Sequence, residues 1–437
     1  MTSASLPSLR ISQLRLRLRD LGCKPCHEDR LLRGWVQRCS YDRKGSPAAT
    51  FFPAALRNEL PAIEAELEGL ARLHGEYPAK NVPSQPDFPP RPLGEGRGEG
   101  SNSTSGSLTL ALMEPLAIRL SPQAGKSLVI SQRERELVNE DVARLLVQLH
   151  DGQMVESVLL PRGGLCVSTQ VGCAVGCVFC MSGKNGLLRQ LGSAEIVAQV
   201  VLARKRRAVS KVVFMGMGEP AHNLDNVLEA IDVLGTQGNI GHKELVLSTV
   251  GDVRVFERLM GVCAASSRVL PHPNPDGTTS HSTTPASGQV AGYLPEGEGT
   301  VKPALALSLH STDAALRAKL LPHAPQIAIE ELVARAEVYA RATHYPVQYQ
   351  WTLIEGVNDS DAELERIAAL LCGKYAVMNF IPFNPVDGLP YRRPSAERIA
   401  AMVAYLKQRG ILAKIRDSAG QEVEGACGQL RARAAFT

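Results

Sequence analysis

Six short apolar runs, rich in residues that favour strands, recur through the second half of the chain, and most are separated by helix-like segments. The runs are 165–169, 211–215, 244–249, 304–310, 347–354 and 377–383. Strands that alternate with helices form a parallel sheet, because each crossover helix packs back onto the sheet in the right-handed sense. Six units are too few for a closed eight-stranded barrel. We therefore predict an α/β fold, a partial, TIM-like (βα)6 barrel.

The remaining stretches differ in composition and suggest further parts. Residues 1–80 predict a small helical N-terminal accessory domain. Residues 81–106 are rich in Pro, Gly and Ser and predict a flexible linker or insertion. Residues 107–160 predict a hairpin extension. The barrel would then take 161–437, interrupted by a disordered low-complexity insertion at 264–300.

Composition limits the class of protein. Apolar residues make up 44% of the chain and charged residues 21%, as in soluble globular proteins. No apolar run approaches the ~18 residues of a membrane span, and the N-terminus has no apolar signal segment. We expect a cytoplasmic protein that does not contact membranes. In that reducing compartment, its ten cysteines are expected to be free, metal-bound or catalytic.

Positive charge is concentrated at the N-terminus. Residues 1–44 hold ten Lys and Arg against four Asp and Glu, although the whole chain carries only +4. A second basic cluster lies at 204–211. Such clusters either bind a polyanion such as RNA or form a solvated helix face.

Three cysteines lie close together directly after the first predicted strand. Cys173, Cys177 and Cys180 have the spacing C-x3-C-x2-C, and Gly172 and Gly176 accompany them. Three thiolates in a glycine-containing loop suit one corner of a [4Fe–4S] cluster, which would leave one iron open for another ligand. A zinc site is the alternative, but zinc normally needs a fourth Cys or His nearby.

Residues able to contact a ligand follow several of the predicted strands. In parallel α/β barrels, functional groups collect at the carboxyl ends of the strands. The candidates here are Gly218, Glu219, Ser248, Ser308, Leu309, His310 and Asn384.

These motifs together resemble one family. The segments, in chain order, are LCVSTQVGCAVGCVFC, GMGEP, LSTVG, ALSLH, IPFNP and ACGQL. Their sequence and order resemble the RlmN/Cfr family of radical S-adenosylmethionine (SAM) RNA methyltransferases, from about residue 145 to residue 430. The segment KPCHEDRLLRGWV is similar to that family's accessory domain.

The resemblance implies roles for individual residues. Cys173, Cys177 and Cys180 would hold a [4Fe–4S] cluster, and the seven strand-end residues would contact SAM, of which two molecules are used per turnover. Cys427 would accept a methyl group, and the derived carbon would pass to C2 of an adenine in 23S rRNA, tRNA or both. Cys166 would then release the RNA through a transient disulfide with Cys427.

Several points stay open at this level. Glu156 stands where the family has a proton acceptor, and either Glu156 or Cys166 could remove the ring proton. The resemblance further implies an external electron donor such as flavodoxin or ferredoxin, and we expect a monomer. Methylation of C8, as in Cfr, is an alternative. A non-methylating iron–sulfur protein that binds RNA or senses redox state is another, although such a protein would need neither Cys166 nor Cys427.

Overall fold

The computed structural model describes residues 9–78, 142–267, 301–384 and 389–416. Its helices are α1 Ile11–Asp20, α2 Pro25–Gln37, α3 Ala48–Phe51, α4 Ala54–Gly69, α5 Ser193–Arg204, α6 Leu224–Thr236, α7 Val253–Ser267, α8 Ala314–Leu320, α9 Ile329–Thr343, α10 Asp361–Leu371 and α11 Ala396–Gln408. Its strands are β1 Ala71–Pro78, β2 Ala143–Leu149, β3 Met154–Leu160, β4 Gly164–Cys166, β5 Gln170–Gly172, β6 Leu187–Gln190, β7 Lys211–Phe214, β8 Leu245–Thr249, β9 Ala304–Ser308, β10 Val347–Leu353, β11 Ala376–Pro382 and β12 Leu412–Ile415.

One sheet of ten strands organises the fold. Its order is β1-β2-β3-β4-β7-β8-β9-β10-β11-β12. The strands from β4 onward are parallel, whereas β1 to β4 pair in the antiparallel sense. Helices follow β7 to β11 and bury the outer face of the sheet. The predicted α/β class with a central parallel sheet is thus confirmed.

Two strands of this sheet do not follow from the periodicity. The strand β12 extends the parallel part to seven, but its four residues include the exposed Lys414 and give almost no signal. The strand β1 lies inside the region predicted to be helical. It pairs with β2 from Ala71 opposite Leu149 to Pro78 opposite Ala143, so the last residues of that region belong to the sheet.

The N-terminal helices share one apolar core with the barrel. Leu14, Leu31 and Leu56 are fully buried in the same cluster as Val197 of α5. Polar contacts fix the junction as well, since the Ile11 amide donates to Ser193 Oγ at 2.8 Å. The helical region is therefore packed against the barrel and is not a separately tethered domain.

The basic cluster at 204–211 takes part in this packing. Arg204 donates to the carbonyls of Val36 and Gly238, each at 2.8 Å. Lys205 pairs with Glu68, and Arg206 pairs with Glu76 at 2.7 Å. Arg204 therefore joins the N-terminal region to the barrel, so a solvated helix face is the wrong interpretation for it, whereas Lys205 and Arg206 form exposed ion pairs.

Several predictions concern residues beyond this description. The linker at 81–106, residues 107–141, residues 268–300 of the insertion and Cys427 all lie outside the described residues, and the predicted domain boundaries stay predictions.

The hairpin of β2 and β3 is present and turns at Asp151 and Gly152. In the part of the chain that the structure describes, every helix lacks the length or apolarity needed to cross a bilayer.

Candidate active site

The cysteine loop begins where the small sheet of β5 and β6 ends. The Cys173 amide donates to the Gly186 carbonyl at 3.1 Å, and the Cys180 amide donates to the Cys177 carbonyl at 3.0 Å. Gly172 has a φ of +89°, and a Cβ there would lie 2.0 Å from the Gly186 oxygen. Only glycine fits this position, which sets the direction in which the chain enters the loop.

The three thiols lie close enough to affect one another. Burial is the main reason why the pKa of Cys173 rises to about 12, and the charges of Cys180 and Glu219 add to it. Burial and the neighbouring Cys180 and Cys173 also raise the pKa of Cys177 well above its usual value. Thiols in such surroundings become thiolates only when a metal compensates their charge.

The donor set fits an iron–sulfur cluster better than a zinc ion. Three thiols and no competing carboxylate in the loop match a cubane, in which each thiolate binds a different iron atom. Among the residues that the structure describes, no group of three or more His, Cys, Asp or Glu converges as ligands of one metal ion. This finding includes the three loop thiols, as expected if each binds a separate iron atom and not one shared ion.

An apolar layer packs the cysteine loop against the carboxyl ends of the strands. Val175, Leu321 and Phe383 are buried there with Cys173. The Val178 amide donates to the Leu320 carbonyl at 3.1 Å. The loop thus lies over the ends of the parallel strands, the edge at which ligands bind in this class of fold.

Glu219 connects the ends of three strands. Its carboxylate accepts from the Ala221 amide at 3.1 Å and from the Val250 amide at 3.0 Å, and its own amide donates to Gln170 Oε1 at 2.7 Å. Burial raises the pKa of Glu219 to about 7, although its hydrogen bonds oppose that shift. Gly218 has a φ of +109°, and a Cβ there would lie 2.7 Å from Gln170.

His310 is buried in the neutral form. Its Nδ1 accepts from the Thr352 amide at 2.9 Å, so Nε2 carries the proton. Burial, aided by the charge of Arg317, lowers the pKa of His310 to about 3. Its carbonyl accepts from Asn358 Nδ2 at 2.7 Å, and its φ is +61°.

The other predicted strand-end residues lie along the same edge. Ser248 and Ser308 are half-buried at the ends of β8 and β9, where Ser248 pairs with Ala306 in the ladder. Leu309 is fully buried and donates its amide to the Gln350 carbonyl at 3.1 Å. Asn384 is half-buried just after β11.

A second group of candidates lies on β3 and β4. Cys166 is buried, and burial is the main cause that raises the pKa of its thiol to about 11. Glu156 is 2% exposed, and its carboxylate lies 3.6 Å from the guanidinium of the equally buried Arg144. The negative charge of Glu156 lies close enough to raise the pKa of the Cys166 thiol further. The described cysteines are all free thiols, and the structure does not test the predicted disulfide because Cys427 lies outside the description.

Two site residues were missed from the sequence. Arg317 is 4% exposed on α8, donates to the carbonyls of Val250 and Ser308, and brings a positive charge near Cys177 and Glu219. Asn358 is fully buried and fixes the His310 main chain. Arg317 follows ALSLH by only a few residues, and Asn358 lies in a turn after β10, so their positions carried a weak signal at best.

Comparisons with known proteins identify the family of this chain. Residues 167–265 match the family model described as the radical SAM superfamily. A protein from Azoarcus sp. (strain BH72), named probable RNA methyltransferase, is 54% identical over 97% of this chain and 95% of its own length. A protein of that description from Pseudomonas aeruginosa (strain UCBPP-PA14) is 51% identical over 98% of this chain and 96% of its own length.

A solved structure extends the likeness to the whole fold. The crystal structure of a radical SAM methyltransferase from Sphaerobacter thermophilus matches with a TM-score of 0.63 and 28% identity, and the match covers 97% of each chain. Members of the superfamily use a [4Fe–4S] cluster and SAM, which suits the cysteine loop described above. The chain therefore belongs to the radical SAM superfamily and, within it, to the RlmN/Cfr-like family of probable RNA methyltransferases.

Proposed function

We propose that this chain, as a radical SAM RNA methyltransferase, adds a methyl-derived carbon to C2 of an adenine in 23S rRNA, tRNA or both. The observation that supports this most directly is the placement of Cys166 and Glu156. They lie on adjoining strands, and the charge of one reaches the thiol of the other. A SAM-cleaving enzyme without a protein-bound carbon carrier would need no second thiol next to a buried carboxylate.

The residues of the strand edge would bind and orient the cofactors. A cluster held by Cys173, Cys177 and Cys180, together with SAM, supplies radical chemistry, which an electron-poor ring carbon without a lone pair requires. Glu219 is fixed by two main-chain amides and offers carboxylate oxygens to an amino or hydroxyl group. His310 offers an Nε2 donor whose neutral state does not change near pH 7.

Two thiols would divide the handling of the transferred carbon. Cys427 would carry it as a thioether, because a sulfur atom can accept a methyl group and later leave. Cys166 would release the RNA when its thiolate attacks the Cys427 sulfur. The disulfide forms, the bond between that sulfur and the transferred carbon breaks, and the carbon keeps the electron pair and takes up a proton to become the methyl group. Glu156 or Cys166 would take the ring proton.

Further features complete the proposal. We infer two SAM molecules per turnover, one as methyl donor and one as radical source. Flavodoxin or ferredoxin would supply the electron, and the enzyme would act as a monomer in the cytoplasm. The basic N-terminal region would dock the RNA through its exposed cations, among them Lys24, Arg38, Arg43 and Lys44.

Mass spectrometry of nucleosides from a deletion strain tests the substrate. Loss of 2-methyladenosine from rRNA or tRNA, restored by the wild-type gene but not by Cys427→Ala, is the expected result. Cys372→Ala is the matched control, because Cys372 is exposed and lies at the end of α10. Loss of 8-methyladenosine instead would assign the Cfr-type reaction, and no change in either nucleoside would contradict adenine methylation.

A further inference from the structure

The inner face of the barrel holds Cys166 in an apolar cluster. Cys166 packs there with Val213 and Met215, and pairs with Val213 in the ladder between β4 and β7. Side chains alternate along a strand, so Glu156, Val158 and Leu160 share one face of β3. Val158 and Leu160 contact the Cys166 cluster, which places Glu156 on the face that carries the thiol.

A cation reaches this cluster from the far edge of the sheet. Arg416 directly follows β12, and its amide donates to the Phe380 carbonyl at 2.8 Å. Its Nη1 lies 3.3 Å from Met215 Sδ and 3.4 Å from Gln350 Oε1. The side chain therefore spans from the last parallel strand to β10 and to the end of β7, across the open side of the barrel.

Few titratable groups face the thiol among the described residues. Arg416 favours the thiolate of Cys166, the Met215 amide donates to its sulfur, and Glu156 disfavours the thiolate. Arg144 lies beyond Glu156 and pairs with it. The phenol of Tyr345 is half-buried at the rim of the same cluster. Arg416 is thus the nearby positive charge that opposes the effects of burial and of Glu156, although burial outweighs it and the pKa of Cys166 stays raised to about 11.

We propose that Arg416 is a positioning residue for Cys166: its guanidinium, fixed across the open side of the barrel, makes the thiolate of this cysteine less costly to form than burial beside Glu156 alone would leave it. The importance of that thiolate rests on the proposed function, in which Cys166 attacks a sulfur or accepts a proton. A thiol buried beside a carboxylate is almost entirely protonated at neutral pH and reacts slowly, and a neighbouring cation increases the small fraction present as thiolate. Arg416 counteracts this effect while Gln350 and Met215 hold its guanidinium in place.

The rate of Cys166 alkylation as a function of pH tests the proposal. Full-length protein, purified without oxygen and reduced, is treated with iodoacetamide from pH 6 to 11, and the Cys166 peptide is quantified by mass spectrometry. The comparison uses the rising limb of the profile, below the pKa of about 11. Arg416→Gln should shift this limb to higher pH by about one unit or more, which lowers the Cys166 alkylation rate at each pH about tenfold or more, as loss of a nearby opposite charge does. Arg416→Lys should restore part of the shift, since the charge remains but its two contacts do not.

Glu156→Gln is a matched variant for which the opposite shift of the Cys166 alkylation profile is expected. Removing the carboxylate should move the Cys166 profile to lower pH, because its charge opposes the thiolate. A Cys166 profile that Arg416→Gln leaves in place, or moves to lower pH, would overturn the proposal. Cys263 is buried in the main core, away from this face, and its unchanged alkylation shows that a variant is folded.

A second neutral variant guards against unfolding. Arg416→Met keeps an unbranched side chain next to Met215. This variant must shift the Cys166 alkylation profile to higher pH, as Arg416→Gln does. The measurement needs neither RNA nor SAM. Loss of methylation with the predicted alkylation shifts intact would therefore count against the proposed function alone, whereas absent shifts in an enzyme that methylates RNA would count against Arg416 alone.

Discussion

The imidazole of His310 meets the ring of Phe179 edge to face, with the ring centroids 4.8 Å apart. This contact joins the end of β9 to the middle of the cysteine loop. His310 is itself fixed by Thr352 and Asn358. The position of the loop is therefore tied to β9 and, through Thr352 and the turn that holds Asn358, to β10, which fits a loop that must present three thiols in one arrangement.

Replacement of one loop cysteine should remove the iron. Wild-type protein purified without oxygen should be brown and hold ~4 iron atoms per chain, whereas Cys177→Ala should hold little or none. Iron analysis and the visible spectrum measure this. Cys372→Ala should keep its iron, because Cys372 is exposed and far from the loop in sequence. A Cys177→Ala protein with full iron content would refute the cluster assignment.

Adding a single methyl group at Gly172 should also reduce the iron content. A Cβ there would lie 2.0 Å from the Gly186 oxygen, at a φ of +89°, so Gly172→Ala must displace the entry to the loop. We expect loss of most of the iron and a lower melting temperature. Gly261→Ala is the control, since a Cβ on that residue of α7 meets nothing within 4 Å and should stabilise the helix by up to about 1 kcal/mol.

Glu219 should make stability depend on pH. Its pKa of about 7 in the folded chain exceeds its ordinary 4.5, so the folded state holds this proton more tightly. The resulting contribution is fully present below pH 4.5 and is lost as the pH rises through 7, on the order of 3 kcal/mol. The free energy of unfolding of apoprotein in urea, compared between wild type and Glu219→Gln, isolates it.

The difference between these two proteins is the quantity to follow. Between pH 5 and pH 7.5 the wild type should lose stability relative to Glu219→Gln. This trend does not depend on the constant cost of replacing a carboxylate oxygen by an amide. His310 contributes with the opposite sign, since its stabilisation is lost as the pH falls from 6.5 to about 3. It is present in both proteins, so its contribution cancels. A difference that does not vary with pH would show that Glu219 ionises normally.

Arg204 should matter for stability and Lys205 should not. The Arg204 guanidinium donates to the carbonyls of Val36, Val209 and Gly238, and three lost hydrogen bonds predict a destabilisation of about 2–4 kcal/mol for Arg204→Ala. Lys205 makes an exposed ion pair, so Lys205→Ala should cost less than about 1 kcal/mol. Denaturant titrations of both variants would decide, and equal losses would contradict this assignment.

The sequence predicts the parallel strands well because each spans a short apolar run followed by a turn. Four-residue β12 has too few residues to show a pattern, and β1 is recognisable only through its partner β2. The basic cluster at 204–211 shows a different limit. Its charge is plain in the sequence, but its carbonyl and carboxylate partners lie far away along the chain.

The residues of the candidate site also fall into those that local sequence identifies and those that depend on distant contacts. Cys173, Cys177 and Cys180 are recognisable because their spacing is local, and the strand-end residues because each follows a strand. Arg317 and Arg416 act through contacts with distant strands, and neither lies in a motif with a chemical meaning of its own. Residues of this second kind become visible only when the sheet is assembled.

The pairing of Pro78 with Ala143 has a consequence for how this chain can change over generations. The strand β1 ends at Pro78 directly opposite Ala143, where β2 begins, so the register of the two strands does not depend on how many residues lie between them. Each doubling of such a connection costs only about 0.6 kcal/mol in closure entropy. Insertions and deletions at this place can therefore accumulate while the register of β1 and β2, and with it the strand that carries Arg144, stays as it is.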